Sequence, residues 1–327
     1  MKDELARYAR LFGKLRTDAS RSRWSPLTRN RAPHKPLLLL SVLDLFEQDS
    51  TRPNLLELTP DMGELFTRYW VRVVSPDRRG NVALPFFHLR NDGFWHLLPK
   101  PGKENVLESA AQIKSLFRLR DTVIGAYLNH KLYEILRAPE ARATLRDVLI
   151  EAYFSPELRP VLVEQSATNH EAFQYSEELL QRDYGKFAEV LTEQETYRPA
   201  ARDQGFRRAI TTAYAHRCAL CGIRVLTLDG HTAVEASHII PWSLSQDDRP
   251  ANGMALCRLC HWAFDEGLLE VSTNYSIVTS SQLTATDNLP GYLTNLKGRG
   301  IVGPVETAFW PALESLRWHH DNVFRAW

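Results

Sequence analysis

The sequence predicts an α+β chain in three stretches: a mainly helical N-terminal half with a small β element, a helical linker, and a C-terminal part stapled through cysteine. Three observations predict it. The only cysteines among 327 residues are Cys218, Cys221, Cys257 and Cys260, two C-x-x-C pairs. Apolar residues in the first half recur at helical spacing, apart from β-branched and aromatic runs between residues 64 and 98. Between Ser166 and Pro199 the composition turns acidic. The expected boundaries are 1–165, 166–200 and 201–327, which leave each end long enough to bury a core.

Individual segments justify this reading. Leu5, Tyr8, Ala9 and Phe12 form a stripe on a helix over Asp3–Leu15. Pro36 suits the first turn of a buried helix that runs through Phe46. Trp70–Val74 and Phe94–Leu98 read as strands, with turns at Gly80-Asn81 and Asp92-Gly93. Ala110–Leu119, Thr144–Phe154 and the Pro156 segment return to helix, with arginine on the outer face. In the linker, Phe173, Leu180, Tyr184, Phe187 and Leu191 make a helical stripe. A helix over Arg202–Tyr214 leads to the first cysteine pair. From Pro311 a closing helix is expected to pack through Leu313, Leu316, His320, Val323 or Phe324, and Trp327.

Composition excludes several classes. Hydrophobic residues at 44% and charged residues at 24% are ordinary for a folded protein and argue against disorder. The longest apolar run, from Leu37 to Phe46, is interrupted by Ser41 and Asp44 and falls short of the roughly 20 residues of a membrane span. The N-terminus, Met1-Lys2-Asp3-Glu4, has no signal-peptide core. The expectation is a cytoplasmic protein with no membrane partner.

Two cysteine pairs of equal spacing, with no thiol left over, point to structural zinc. One tight turn presents two thiolates, two such turns close a tetrahedral site, and four thiolates leave no open position for chemistry. A thioredoxin-like motif would need a single pair beside a βαβ unit. Disulfides would need an oxidising compartment.

The segment between the pairs carries the chemistry. It contains Glu235-Ala236-Ser237-His238-Ile239-Ile240-Pro241-Trp242, then Asn252-Gly253, and the second pair runs on into His261-Trp262-Ala263-Phe264-Asp265-Glu266-Gly267. His238 ends a strand-like run before a proline turn, where it can serve as general base. His261 and Asp265, four apart on a helix, project from one face and can grip a divalent ion such as Mg²⁺, Mn²⁺ or another first-row metal. These residues resemble the HNH endonuclease family, in its McrA-like branch with a zinc-stapled ββα-metal fold. The resemblance implies a one-metal phosphodiester hydrolase with His238, Asn252 and His261 in the catalytic set, Asn252 fixing the loop and orienting the base. Family members often carry an acid or histidine before the base as a further ligand. Ser237 stands there, and water, a backbone carbonyl or Glu235 remain as substitutes.

Two strings mark the first half. One is Arg29-Asn30-Arg31-Ala32-Pro33-His34-Lys35-Pro36 followed by four leucines, and the other is Ala83-Leu84-Pro85-Phe86-Phe87-His88-Leu89. Together they resemble the DNA sulfur-binding domain fused to HNH nucleases in type IV, phosphorothioate-dependent restriction enzymes. By position the resemblance implies Arg29, Arg31, His34 and Lys35 as the basic loop, with Leu84, Pro85 and His88 lining a pocket for the modified phosphate. The chemistry is consistent. A non-bridging sulfur is softer and less well hydrated than oxygen, so an apolar surface beside a cation selects it without desolvating a strongly hydrated atom.

Net charge is only +1, but it is unevenly spread. Residues 1–165 carry 26 basic against 20 acidic side chains, residues 166–200 carry 3 against 7, and residues 201–327 carry 11 against 12. The basic part matches the expected reader of double-stranded DNA, and an acidic linker would stay off phosphate. Two-strand cleavage suits a homodimer. The competing readings are an HNH nuclease that reads methyl- or hydroxymethylcytosine, and a non-catalytic zinc DNA-binding protein.

Overall fold

Tyr8 and Phe12, four residues apart, turn one face of helix α1 (Lys2–Phe12) into the core of the N-terminal unit. The computed structural model describes residues 2–75, 77–108, 115–181, 197–285 and 287–326. Two units divide it: Met1–His170 with Thr227–His231, and Glu171–Leu226 with Thr232–Trp327.

In the first unit, helix α2 (His34–Gln48) is buried on nearly every side from Lys35 to Phe46, as its leucine run requires. Its buried Asp44 accepts hydrogen bonds from Tyr69 Oη (2.7 Å), Ser166 Oγ (2.9 Å) and Asn169 Nδ2 (2.8 Å), and it pairs with Arg146 (3.1 Å). These partners offset the cost of burial, which pushes the Asp44 pKa up.

The expected strand at Trp70–Val74 is instead the end of helix α3 (Pro60–Val73). Pro60 occupies its first turn, Thr59 Oγ1 caps Met62 N at 3.3 Å, and Met62, Leu65, Phe66, Tyr69 and Trp70 bury one face. That period overrides the β propensity of single residues. Helix α4 (Ala83–His88) buries Phe86 and Phe87 and exposes Leu84 and His88. Strand β1 (Trp95–Pro99), helix α5 (Glu104–Glu108), helix α6 (Leu116–Thr122) and strand β2 (Val123–Leu128) follow. The β1–β2 ladder is antiparallel, with Trp95 opposite Leu128. Residues 110–114 of the expected Ala110–Leu119 helix lie outside the described residues.

Helices α7 (His130–Leu136), α8 (Pro139–Tyr153) and α9 (Arg159–Gln181) complete the helical series. The arginines of α8 depart from the expected outer face. Arg142 is buried against Glu47 and two backbone carbonyls, and Arg146 pairs with Asp44 and Glu47, because the carboxylates of α2 need cations inside. The expected linker stripe is also shifted. Tyr175 and Leu179 are buried rather than Phe173 and Leu180, while Tyr184, Phe187, Leu191 and most of the acidic run lie outside the described residues.

The second unit is a ββα element with additions. Helix α10 (Pro199–Ala213) precedes strand β3 (Val234–His238), short helix α11 (Trp242–Ser245), strand β4 (Gly253–Cys257) and helix α12 (Arg258–Asp265). The β3–β4 ladder is antiparallel and in register, with Val234 opposite Cys257 and His238 opposite Gly253. Strands β5 (Leu269–Val271) and β6 (Ile277–Thr279) form a second hairpin, and helix α13 (Leu313–Asn322) follows. In α13 the inward histidine is His319, not the expected His320. Its ring stacks on Phe264 at 3.7 Å, whereas His320 is exposed and pairs with Glu270. Trp327 lies outside the described residues. Among the described residues no helix is long and apolar enough to cross a membrane.

Candidate functional site

The four cysteines converge. Their sulfurs lie within 4.8 Å of one another, and Cys221 Sγ is 3.7 Å from Cys257 Sγ. Zn–S bonds of about 2.3 Å in a tetrahedron put neighbouring sulfurs about 3.8 Å apart, so the cluster fits zinc. Gly222, at φ 75°, lets the first knuckle turn back so that its N–H bonds Cys218 O at 2.9 Å. Cys257 caps α12 and Cys260 lies in its first turn, which fastens the helix to the site.

His238 ends β3. Its Nε2 lies 2.7 Å from Oδ1 of Asp248, a residue only 1% exposed, and its ring stacks on Phe206 at 3.9 Å and 6°. Asp248 Oδ2 accepts a hydrogen bond from Tyr175 Oη (2.9 Å) and lies 3.3 Å from Arg202 Nε. The Arg202 guanidinium in turn covers the Trp242 ring at 3.6 Å.

Asn252 is fully buried. Its Nδ2 donates to Ile240 O and Asp247 O, and its Oδ1 accepts from Ile240 N, all at 3.0 Å. It thereby closes the loop that runs from His238 through Asp248. Ser237 is buried and its hydroxyl bonds His238 O at 3.4 Å.

His261 faces two carboxylates. Its Nε2 is 3.4 Å from Asp265 Oδ2 and its Nδ1 is 3.5 Å from Glu235 Oε2. Donors sharing one ion at about 2.1 Å each sit about 3.0–3.4 Å apart, so His261 with Asp265 fits a divalent metal. Because the carboxylates address opposite ring nitrogens, the three do not meet at one point. Among the described residues, only the cysteines do so as a group of three or more. Burial raises the Asp265 pKa, opposed by His261 and reinforced by Glu266.

In the first unit a cavity of about 430 Å³ is lined by His34, Lys35, Leu84, Pro85 and His88, together with Arg16, Arg23 and Trp24. Arg29 and Arg31 are not among its lining residues, and Arg29 Nε donates to Phe154 O at 3.3 Å. Lys35 lies on the wall, but its ammonium is buried against Asp92 at 2.5 Å. Burial, with the nearby Arg78 cation, brings the His34 pKa down to about 4. Burial, with Lys35 and Arg90, lowers that of His88. The His34 ring is therefore a neutral surface beside Leu84, wedged between Trp24 and Trp70.

Comparison with known proteins agrees with this geometry. Residues 8–168 match the ScoMcrA-like DNA sulfur-binding domain, and residues 218–271 match the HNH endonuclease family. Along one chain, a match to a DNA sulfur-binding domain is thus followed by a match to an HNH endonuclease domain. Among solved structures it is similar to one titled "Modification dependent TagI restriction endonuclease". The identity is 21% and the TM-score 0.28, over 37% of this chain and 38% of that one. The match therefore spans well under half of that protein's length. No curated protein matches the chain.

Sequence reasoning missed Asp248, Tyr175, Arg202 and Phe206 around His238, and Arg16, Arg23 and Trp24 in the cavity. For the arginines a signal existed: the first 35 residues carry 10 basic against 3 acidic side chains. For Asp248 there was none, because an aspartate in a polar loop is ordinary turn chemistry.

Proposed function

We propose that this protein is a type IV, modification-dependent restriction endonuclease that binds phosphorothioate DNA through its N-terminal unit and hydrolyses phosphodiester bonds with its HNH unit. The observation that carries the reading is the cavity in the sulfur-binding domain. It joins a neutral imidazole, Leu84 and Pro85 to Arg16 and Arg23. Apolar and weakly polar walls suit the sulfur, and the arginines suit the anionic phosphate around it.

In the nuclease unit, His238 takes the proton of a water whose oxygen bonds phosphorus as one P–O ester bond breaks. His261 and Asp265, with Glu235 the nearest further carboxylate, would hold the divalent ion. When bound, that ion supplies Lewis-acid stabilisation of the charge developing on the phosphate and the leaving oxygen. The cysteine cluster holds structural zinc and takes no part in the step. A homodimer would place two such centres on the two strands.

The test is cleavage of matched duplexes with and without the phosphorothioate, in Mg²⁺ or Mn²⁺. Cutting confined to the sulfur-bearing duplex is expected. Equal cutting of both sinks the sulfur reading, and preference for methyl- or hydroxymethylcytosine duplexes replaces it with another mark. Absence of metal-dependent cleavage on every duplex returns the zinc fold to a binding role.

A further inference from the structure

Asp248 belongs to none of the motifs, yet it is the residue to which His238 bonds. We infer that Asp248 is a positioning residue that holds His238 with its proton on Nε2, leaving Nδ1 as the acceptor for the proton of the attacking water. The inference rests on the nuclease reading above.

Three features of the site carry it. A carboxylate oxygen is an acceptor only, so the ring nitrogen 2.7 Å from Oδ1 must carry the N–H. A neutral imidazole has a single N–H, so Nδ1 is left bare. Second, Oδ1 is committed to the ring because Oδ2 is occupied, by the Tyr175 hydroxyl at 2.9 Å and the Arg202 guanidinium at 3.3 Å. Third, neither partner is free to drift. Phe206 stacks flat on the imidazole, and Asn252 Nδ2 holds the carbonyl of Asp247, the residue next to Asp248.

The chemical consequence follows directly. The water proton passes to Nδ1, the water oxygen bonds phosphorus, one P–O ester bond breaks, and the leaving oxygen takes a proton from solvent. The ring is then a cation, and the buried carboxylate on its far side stabilises that charge. Among the described residues, Asp248, Tyr175 and Arg202 are charged or titratable groups that face the ring or its partner, and each comes from a different segment.

Asp248→Asn tests the inference. The amide oxygen would turn to Arg202 and Tyr175, so its NH₂ would face Nε2 and drive the proton onto Nδ1. The expected result is a loss of about 10²–10⁴-fold in kcat, the scale found when a histidine base is put in the wrong tautomer. Duplex affinity and zinc content should stay at wild-type values. In ¹⁵N–¹H spectra the His238 ring should change from the Nε2–H to the Nδ1–H form, and His238→Ala with Asp248→Asn should be no slower than His238→Ala alone. Cleavage within threefold of wild type, or an unchanged tautomer, overturns the inference.

If Asp248→Asn loses zinc, Tyr175→Phe decides. It frees Oδ2 of one donor and should slow cleavage by roughly tenfold with unchanged duplex affinity. Wild-type rates in that variant overturn the inference. A wild-type enzyme with no metal-dependent cleavage would defeat the nuclease reading instead, and the His238 tautomer in the wild-type spectrum would still decide this one.

Discussion

The side chain of Asn252 and the main chain of Ile240 bond each other in both directions, each at 3.0 Å. A third bond from the same amide reaches Asp247 O, so one buried residue closes the loop between His238 and Asp248. Asn252→Ala leaves one N–H and two carbonyls without that partner, at about 1–3 kcal/mol for each group that stays buried. The expected result is a second unit destabilised by about 3 kcal/mol or more, with cleavage lost and phosphorothioate-duplex binding kept. Urea unfolding and gel shift read the two effects, and parallel loss of binding would contradict the separation.

Gly253 faces His238 across the ladder in extended backbone, so its need is for space and not for an unusual φ. A Cβ there would lie 2.5 Å from Ile210 Cδ1 and 3.0 Å from Phe206, the ring that stacks on His238. Gly253→Ala should cost about 1–3 kcal/mol through overpacking and should lower kcat by displacing Phe206. Adding Ile210→Val, which removes the clashing methyl, should recover part of both. A double variant no better than Gly253→Ala would refute the contact.

Lys35 and Asp92 make a buried ion pair, and Asp92 also accepts from Arg16 N at 2.9 Å. Lys35→Met should therefore destabilise the N-terminal unit by about 3–5 kcal/mol, the range for stranding one buried charge. Lys35→Met with Asp92→Asn should restore most of that stability. If the single variant instead keeps wild-type stability and loses only DNA affinity, Lys35 is a phosphate contact.

His34 sets an acid limit on the same unit. Its folded pKa of about 4 lies below the ordinary value, with burial the largest cause and Arg78 the next. Between about pH 6.5 and pH 4 the unfolded chain binds a proton that the folded chain refuses, so the stabilising contribution is full above that window and is lost as pH falls through it. His34→Gln should flatten the dependence of thermal midpoint on pH over this range. An equal slope in both proteins would exclude His34 as the cause.

Zinc can be tested without activity. The wild-type chain should carry one zinc by elemental analysis, and Cys260→Ser or a strong chelator should remove it and unfold the second unit. A chain that folds metal-free with full stability would overturn the assignment.

Local spacing was legible without a structure. Two C-x-x-C pairs and the four-residue step from His261 to Asp265 announced clustered ligand groups, because each pair is set by a turn or a helical repeat of four residues or fewer. The four leucines after Pro36 announced a core helix for the same reason. What lay beyond that reach was decided by tertiary packing. Trp70–Val74 looked like strand until the face shared with Met62 and Leu65 made it helix. Lys35 read as one member of a basic loop, and the fold pairs its ammonium with Asp92, 57 residues away. Asp248 looked like a loop residue until the β3–β4 hairpin, Tyr175 and Arg202 placed its carboxylate against His238. Sequence alone determined which chemical groups the protein carries and the short-range geometry of each motif. Only the tertiary structure decided which charges are paired, which rings are buried, and which carboxylate His238 faces, because those depend on burial and on neighbours that sequence distance does not encode.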